Sequence, residues 1–152
     1  MTGWQVVKIE SSGSVMLQCM KSGGFKVLND CWVMAESLAG MAAEIPGYVR
    51  LEQNGMLWVF TNYLTDGASG PAYNNKTILR GAVFHDAGYQ LLRQRKIHQI
   101  YRKAVDRLML DICKADGMWW IRRQWISCAL RLFGASSAKP QPEVEATVIT
   151  AP

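Results

Sequence analysis

The sequence predicts an α+β fold: an N-terminal antiparallel β-sheet, then a helical hairpin, then a third helix. Three observations carry that expectation. The first half breaks into short apolar and β-branched runs set between Gly, Asn and Asp, as strands and turns do. Within it, Gln53-Asn54-Gly55 separates two such runs, a strong hairpin signal because Asn-Gly tolerates left-handed turn positions. From residue 74 the period changes, and apolar residues recur three and four apart.

Residues 4–10 alternate and are partly β-branched, which predicts a strand. Ser11-Ser12-Gly13 reads as a turn, with residues 14–19 as the partner strand. Gly23-Gly24 breaks the chain again. Residues 25–28 and 31–34 read as short strands around Asn29-Asp30. Residues 35–43, rich in Ala, Leu and Met, predict a short helix ended by Glu44-Ile45-Pro46-Gly47. Residues 48–52 and 56–63 form the hairpin, and its second strand runs directly into Thr65-Asp66.

The helical half opens with Asn74 or Asn75 as the cap of a helix reaching about Arg95. Ile78, Leu79, Ala82, Val83, Asp86 and Tyr89 share one side of it. A second helix runs from near Ile97 to Ala115. Its buried stripe is Tyr101, Ala104, Val105, Leu108, Met109 and Ile112, and Gly117 stops it. A third spans residues 119–133, stopped by Gly134. Residues 135–152 are small, polar and Pro-containing, the composition of a flexible tail. Residues 1–134 are therefore expected as a single domain, mainly β over 1–64 and mainly α over 74–134.

The length of 152 residues suits one domain with a real core, and 49% hydrophobic composition suits a globular chain. No apolar run reaches membrane-spanning length. The N-terminus lacks a basic region followed by an apolar core, so no signal peptide is expected. Cys19, Cys31, Cys113 and Cys128 show no paired spacing, which argues against a zinc site and a disulfide framework and for reduced thiols. The net charge is +5, but residues 77–134 hold eleven Lys and Arg against four Asp, a net +7. Such a half suits an acidic or phosphate-bearing partner, although a solvated helix face is the favoured reading.

One polar site can be assembled from residues 65–106. His85 and Asp86 are neighbours on a helix, so their side chains diverge by about 100°. They can do two adjacent jobs: an imidazole acting as base and a carboxylate acting as metal ligand. Tyr89, one turn after His85, can hydrogen-bond beside it. Asp106, on the next antiparallel helix, can hold the imidazole's other nitrogen, fixing the tautomer and stabilising the imidazolium. Gly67 and Gly70 let backbone carbonyls approach an ion, and a hard cation such as Ca²⁺ takes carbonyls plus a carboxylate. Asp66 either binds that metal directly or caps a turn. The competing account is a buried His–Asp network that fixes helix packing.

The order of Gly-loop, His85-Asp86-x-x-Tyr89 and Asp106 resembles the secreted phospholipase A₂ superfamily, its compact parvoviral and microbial members most of all. The resemblance implies His85 as the water-activating base, Asp86 as a Ca²⁺ ligand, Asp106 as the orienter of His85, loop carbonyls from Gly67 and Gly70, and a phospholipid ester as substrate. Those lipases are usually laced with disulfides, which this cysteine pattern does not supply. A broader resemblance covers most of the chain. Thr65-Asp66-x-Ala68-Ser69-x-Pro71, Ala82-x-x-x-His85-Asp86-x-x-Tyr89, Ala104-x-Asp106-Arg107-Leu108 and Ala129-Leu130-Arg131-Leu132-Phe133-Gly134 are similar to a bacteriophage and prophage domain family of unknown function. That family usually has Ala-Asp where this chain has Val105-Asp106.

Two functions are thus expected to compete: a phage-encoded, phospholipase A₂-like, metal-assisted ester hydrolase or its degenerate relative, and a non-catalytic structural or interaction protein of the phage particle. The partners would be phospholipid or other virion proteins, with oligomerisation or assembly through the helices and tail. The setting would be the host cytoplasm during infection or the virion. No nucleic-acid motif is convincing. Trp119, Trp120 and Trp125 alternate with Arg122, Arg123 and Arg131, which invites a membrane or nucleic-acid surface. Core packing is the favoured reading, because Trp125, Ile126, Ala129, Leu130 and Phe133 form an ordinary stripe. His98 reads as solvent-facing, and Asp111 and Asp116 as solvated charges.

Overall fold

A computed structural model describes residues 9–67 and 76–140. It is an α+β fold in which antiparallel sheets precede three helices. The strands are β1 (Leu17–Cys19), β2 (Phe25–Val27), β3 (Cys31–Met34), β4 (Ala43–Ile45), β5 (Val49–Leu51), β6 (Met56–Val59) and β7 (Leu64–Thr65). The helices are α1 (Lys76–Arg93), α2 (Arg102–Ala115) and α3 (Trp120–Ser137). Among the described residues, no helix is long and apolar enough to cross a membrane.

The expected single sheet is two. One has the order β1-β2-β7 and the other β3-β6-β5-β4, all antiparallel. The join lies between β6 and β7, where the second hairpin strand was expected to run straight on. Asn62 instead adopts φ 75°, and the chain turns out of one sheet into the other. The Gln53-Asn54-Gly55 turn does close the β5–β6 hairpin, but only Gly55 is left-handed, at φ 93°. A Cβ there would lie 2.7 Å from the Ala35 carbonyl oxygen, so the site needs glycine for space as well.

Most of the partner strand expected for residues 14–19, positions 4–8, lies outside the described residues. Within residues 14–19, Leu17–Cys19 forms β1, which pairs with β2 through the turn at Gly23 and Gly24, both left-handed. The described end of the earlier segment runs along β3 instead, with a Ser11–Val33 bridge and Met34 N donating to the Glu10 carbonyl at 2.8 Å. The helix expected over 35–43 is a single 3₁₀ turn, Glu36–Leu38. Gly40 at φ 90° interrupts it, and Ala43–Ile45 becomes β4. There the demand for a sheet partner outweighs a run of good helix formers.

The four-stranded sheet turns Cys31, Val33, Val49, Leu51, Leu57 and Val59 into the core. α1 covers it with Val83, Phe84, Ala87 and Leu91. α1 is buried nearly all round because α2 packs on its other side, which is why its apolar residues exceed the single stripe expected. A smaller cluster of Ile78, Ala82, Met109, Cys113, Met118 and Ile126 joins the three helices. α2 starts at Arg102, after a 3₁₀ turn at Gln99–Tyr101. Gly117, at φ 88°, follows its end as expected.

Gly134 does not end α3, which continues to Ser137, and Ala138 is fully buried. The tail therefore cannot begin at residue 135. Side chains hold this end: Gln99 Nε2 donates to the Ala138 carbonyl at 2.8 Å and Arg93 to the Ser137 carbonyl at 3.3 Å. The expected core stripe on α3 is also corrected. Only Ile126 and Gly134 of this helix are buried, while Trp125 and Phe133 are exposed.

The α1–α2 contact depends on two glycines. A Cβ on Gly88 would sit 2.5 Å from Val105 Cγ1, and one on Gly81 would sit 2.8 Å from Cys113 Sγ. Gly88→Ala should destabilise the fold by about 1–3 kcal/mol through overpacking. Urea titration monitored by circular dichroism reads this; an unchanged midpoint would show that Val105 moves aside freely.

Candidate functional site

His85 lies between Gly81 and Gly88 on α1, where the axes of α1 and α2 are drawn together. That closeness lets the short side chain of Asp106 reach across. His85 Nε2 lies 2.9 Å from Asp106 Oδ1. Tyr89, one turn further along α1, donates its hydroxyl to the same oxygen at 2.6 Å. The His85 and Tyr89 rings are 4.0 Å apart between centroids and tilted by 39°. The other carboxylate oxygen, Oδ2, accepts from Arg102 at 3.2 Å. Arg102 precedes Asp106 by one turn of α2 and also reaches the Leu130 carbonyl of α3 at 3.4 Å.

The structure thus brings together His85, Tyr89 and Asp106 and adds Arg102, which sequence reasoning missed. The missed signal was a basic residue four positions before an aspartate on one helix, a spacing that pairs charges. Gly134 was misread as a stop. A Cβ there would lie 2.5 Å from the Tyr89 hydroxyl and 2.8 Å from an Arg102 nitrogen, so this glycine admits the polar cluster beneath α3.

A carboxylate accepts but cannot donate, so Asp106 orients the imidazole with the proton on Nε2 and the lone pair on Nδ1. Burial raises the Tyr89 hydroxyl above its ordinary value, and its hydrogen bond to the negative Asp106 raises it further. Tyr89 is therefore a fixed donor. The His85 side chain keeps 11% of its surface exposed.

Asp86 points elsewhere, as its place one residue after His85 requires. Thr65 on β7 donates its hydroxyl to Asp86 Oδ2, and Gly67 N donates to the Thr65 oxygen at 3.1 Å. Gly67 is left-handed at φ 73°. Burial raises the Asp86 carboxyl; the Thr65 hydrogen bond, His85 and Arg93 pull it back, and the charge of Asp66 adds to the rise. Asp66 is exposed at the end of β7. Gly70 lies outside the described residues, as do the Ala68-Ser69 and Pro71 positions of the motif. Thr65 is the second missed residue: its hydroxyl ties the strand end to the helix carboxylate.

No family model, curated protein or solved structure matches this chain.

Two clusters share the 85–86 backbone: a proton-handling group of His85, Tyr89, Asp106 and Arg102, and an oxygen-rich group of Asp86, Thr65 and the Asp66-Gly67 turn. Among the described residues, no group of three or more His, Cys, Asp or Glu is gathered as a metal cage. The donors present in the oxygen-rich group, the Asp86 and Asp66 carboxylates, the Thr65 hydroxyl and the Gly67 backbone, are hard oxygen ligands of the class that Ca²⁺ takes. Asp86 is a partly buried acid with a second acid near enough to raise it, and positive charge there would relieve both effects. Sulfur chemistry is a poor fit at this site, because burial pushes the Cys31 and Cys113 thiols up to about 12, and Cys19 and Cys128 are exposed and take no part in either cluster. His98 caps the 3₁₀ turn before α2, with Nδ1 accepting from Ile100 N at 3.1 Å. Asp116 was expected to be a solvated charge, but it forms a partly buried ion pair with Arg80 at 2.7 Å.

The raised Asp86 carboxyl has a consequence for pH. At this site the native state holds a proton that the unfolded chain has already released, so the contribution of Asp86 to stability is greatest at low pH. It falls as pH rises from the ordinary aspartate range through the raised native value. Asp86→Asn should remove that slope. Added Ca²⁺ should raise the wild-type melting temperature near neutral pH by several degrees at about 100 times its dissociation constant, and leave Asp86→Asn unmoved. Thermal melts across pH, with and without Ca²⁺, check both; an identical Ca²⁺ response in the variant excludes Asp86 as a ligand.

Proposed function

We propose that this chain is a phage-encoded hydrolase of phospholipase A₂ type, cleaving an acyl ester of a phospholipid with His85 as general base. The observation that carries the reading is the 2.9 Å contact of His85 Nε2 with Asp106, which leaves Nδ1 as the acceptor nitrogen. In this reading Nδ1 takes a proton from water as the water oxygen attacks the ester carbonyl carbon. The imidazolium so formed is opposed by the Asp106 carboxylate. Tyr89 and Arg102 hold that carboxylate in place, so the ring need not reorient as charge develops. The proton then passes from Nδ1 to the departing alkoxide, and His85 is neutral again. The products are a fatty acid and a lysolipid.

Asp86, Asp66 and the backbone at Gly67 are the residues that would hold Ca²⁺, with Gly70 added by the resemblance. Bound there, the ion would supply positive charge for the oxyanion of the tetrahedral intermediate. The order Thr65-Asp66, His85-Asp86-x-x-Tyr89 and Asp106 supports phage-family membership on motif residues alone.

Release of fatty acid from phospholipid vesicles, with Ca²⁺ and with chelator, tests the reading. His85→Ala should lower the rate by about 10²–10⁴-fold. Asp106→Asn should also lower it while the fold survives by circular dichroism. Equal inactivity of wild type and His85→Ala would sink the hydrolase; a component of the phage particle would then be the better account, and the protein should be found in stoichiometric copies in purified virions.

A further inference from the structure

α3 has two apolar faces, and the protein covers only one. Ile126 and Gly134 are buried, with Leu130 packed partly against the same cluster. On the opposite side Ile121, Trp125 and Leu132 are 49%, 57% and 75% exposed. Their spacing of four and then seven places them in one line along the helix, about 20 to 40° apart around its axis. Trp119 and Trp120 crowd one end of the line and Phe133 flanks the other, all three exposed. Of the arginines on α3, Arg131 is exposed beside this line, whereas Arg123 lies on the covered side with its Nε buried; α3 has no acidic residue.

From this we infer that the outer face of α3 is a docking surface for an anionic phospholipid membrane, on which the helix lies rather than crosses. The functional meaning of that inference rests on the hydrolase reading, since it names an aggregated lipid surface as the form in which substrate is met; the binding itself does not depend on turnover.

Charge and chemistry select this occupant. A second copy would bring its own Arg131 and no acid from α3, so self-pairing offers that charge no opposite partner. Nucleic acid would use Arg131 and the tryptophans but offers nothing to Ile121 and Leu132, which form the two ends of the line and need an apolar phase. A lipid interface uses both kinds of group. The aliphatic side chains enter the acyl boundary, the indoles sit at headgroup depth, and Arg131 extends to phosphates. The covered side of α3 touches Tyr89 and Arg102 through Gly134, so the docked face would lie about one helix diameter, 10 Å, from the polar cluster.

Sedimentation with sucrose-loaded vesicles in chelator, where no Ca²⁺-dependent turnover occurs, tests the inference. Wild type should partition onto phosphatidylcholine vesicles containing phosphatidylglycerol, more weakly onto phosphatidylcholine alone, and less as salt rises. Trp125→Gln with Leu132→Gln should weaken partitioning about ten-fold or more. Arg131→Gln should weaken it about five-fold on the anionic vesicles only. These positions are exposed, so circular dichroism and melting temperature should stay at wild-type values. Three results would each overturn the inference: no binding to the anionic vesicles, undiminished binding by the Trp125/Leu132 variant, or a wild-type dimer that this variant dissociates. Binding to single-stranded DNA that falls equally in the variant would also reassign the face. Intact vesicle binding by a protein that releases no fatty acid would sink the hydrolase reading and leave this one standing.

Discussion

The close approach of α1 and α2 is the constraint on which the rest of the molecule depends. Val105 fills the space that a side chain on Gly88 would occupy, and Cys113 does the same at Gly81. An aspartate side chain is short. Only between such contacts can Asp106 on one helix reach an imidazole on the other at 2.9 Å. The same contact buries α1 on a second side and makes it the central element between sheet and helices. Glycine inside a helix is costly by itself, about 1 kcal/mol each, and here that cost is offset by packing and by the site it allows.

The Asp106 carboxylate gathers the elements further. It receives α1 through His85 and Tyr89 and its own helix through Arg102, while Arg102 goes on to a carbonyl of α3. On the other side of α1, Asp86 receives β7 through Thr65. Sheet and three helices thus meet at neighbouring residues of one helix. A partly buried acid with several donors gives a defined geometry, because loss of any donor leaves charge or dipole unmatched.

Much of this could be read in the sequence, for reasons that are local. The period change near residue 74 reflects side chains facing a core at helical spacing; α1 lies where it put it, and α2 ends at Ala115 as expected but begins at Arg102 rather than near Ile97. His85 and Tyr89 are one turn apart in any helix, and an antiparallel successor places Asp106 opposite. Strand partners were less legible, since both Gly13 and Gly23-Gly24 are turn signals and only tertiary packing decides which closes a hairpin. Gly134 is a helix stop by local rules; it sits inside α3 because Tyr89 and Arg102, distant in sequence, occupy its missing side chain. The Trp125 stripe has the spacing of a core, and spacing alone cannot tell whether a neighbour exists to cover it. Arg102 was visible by its distance from Asp106 but was lost among many basic residues.

The division into two small sheets has one more effect. The outermost strands are brief: three residues in β1, two in β7, four in β3 and three in β4. β3 is further occupied by the bridge from Ser11 to Val33. An incoming strand from another molecule would find only a few unpaired amides and carbonyls on any rim. A single seven-stranded sheet built from the same apolar segments would present longer rims. Splitting it at Asn62 leaves the described strands a poor template for intermolecular β-stacking, although nearly half of the chain's residues are hydrophobic.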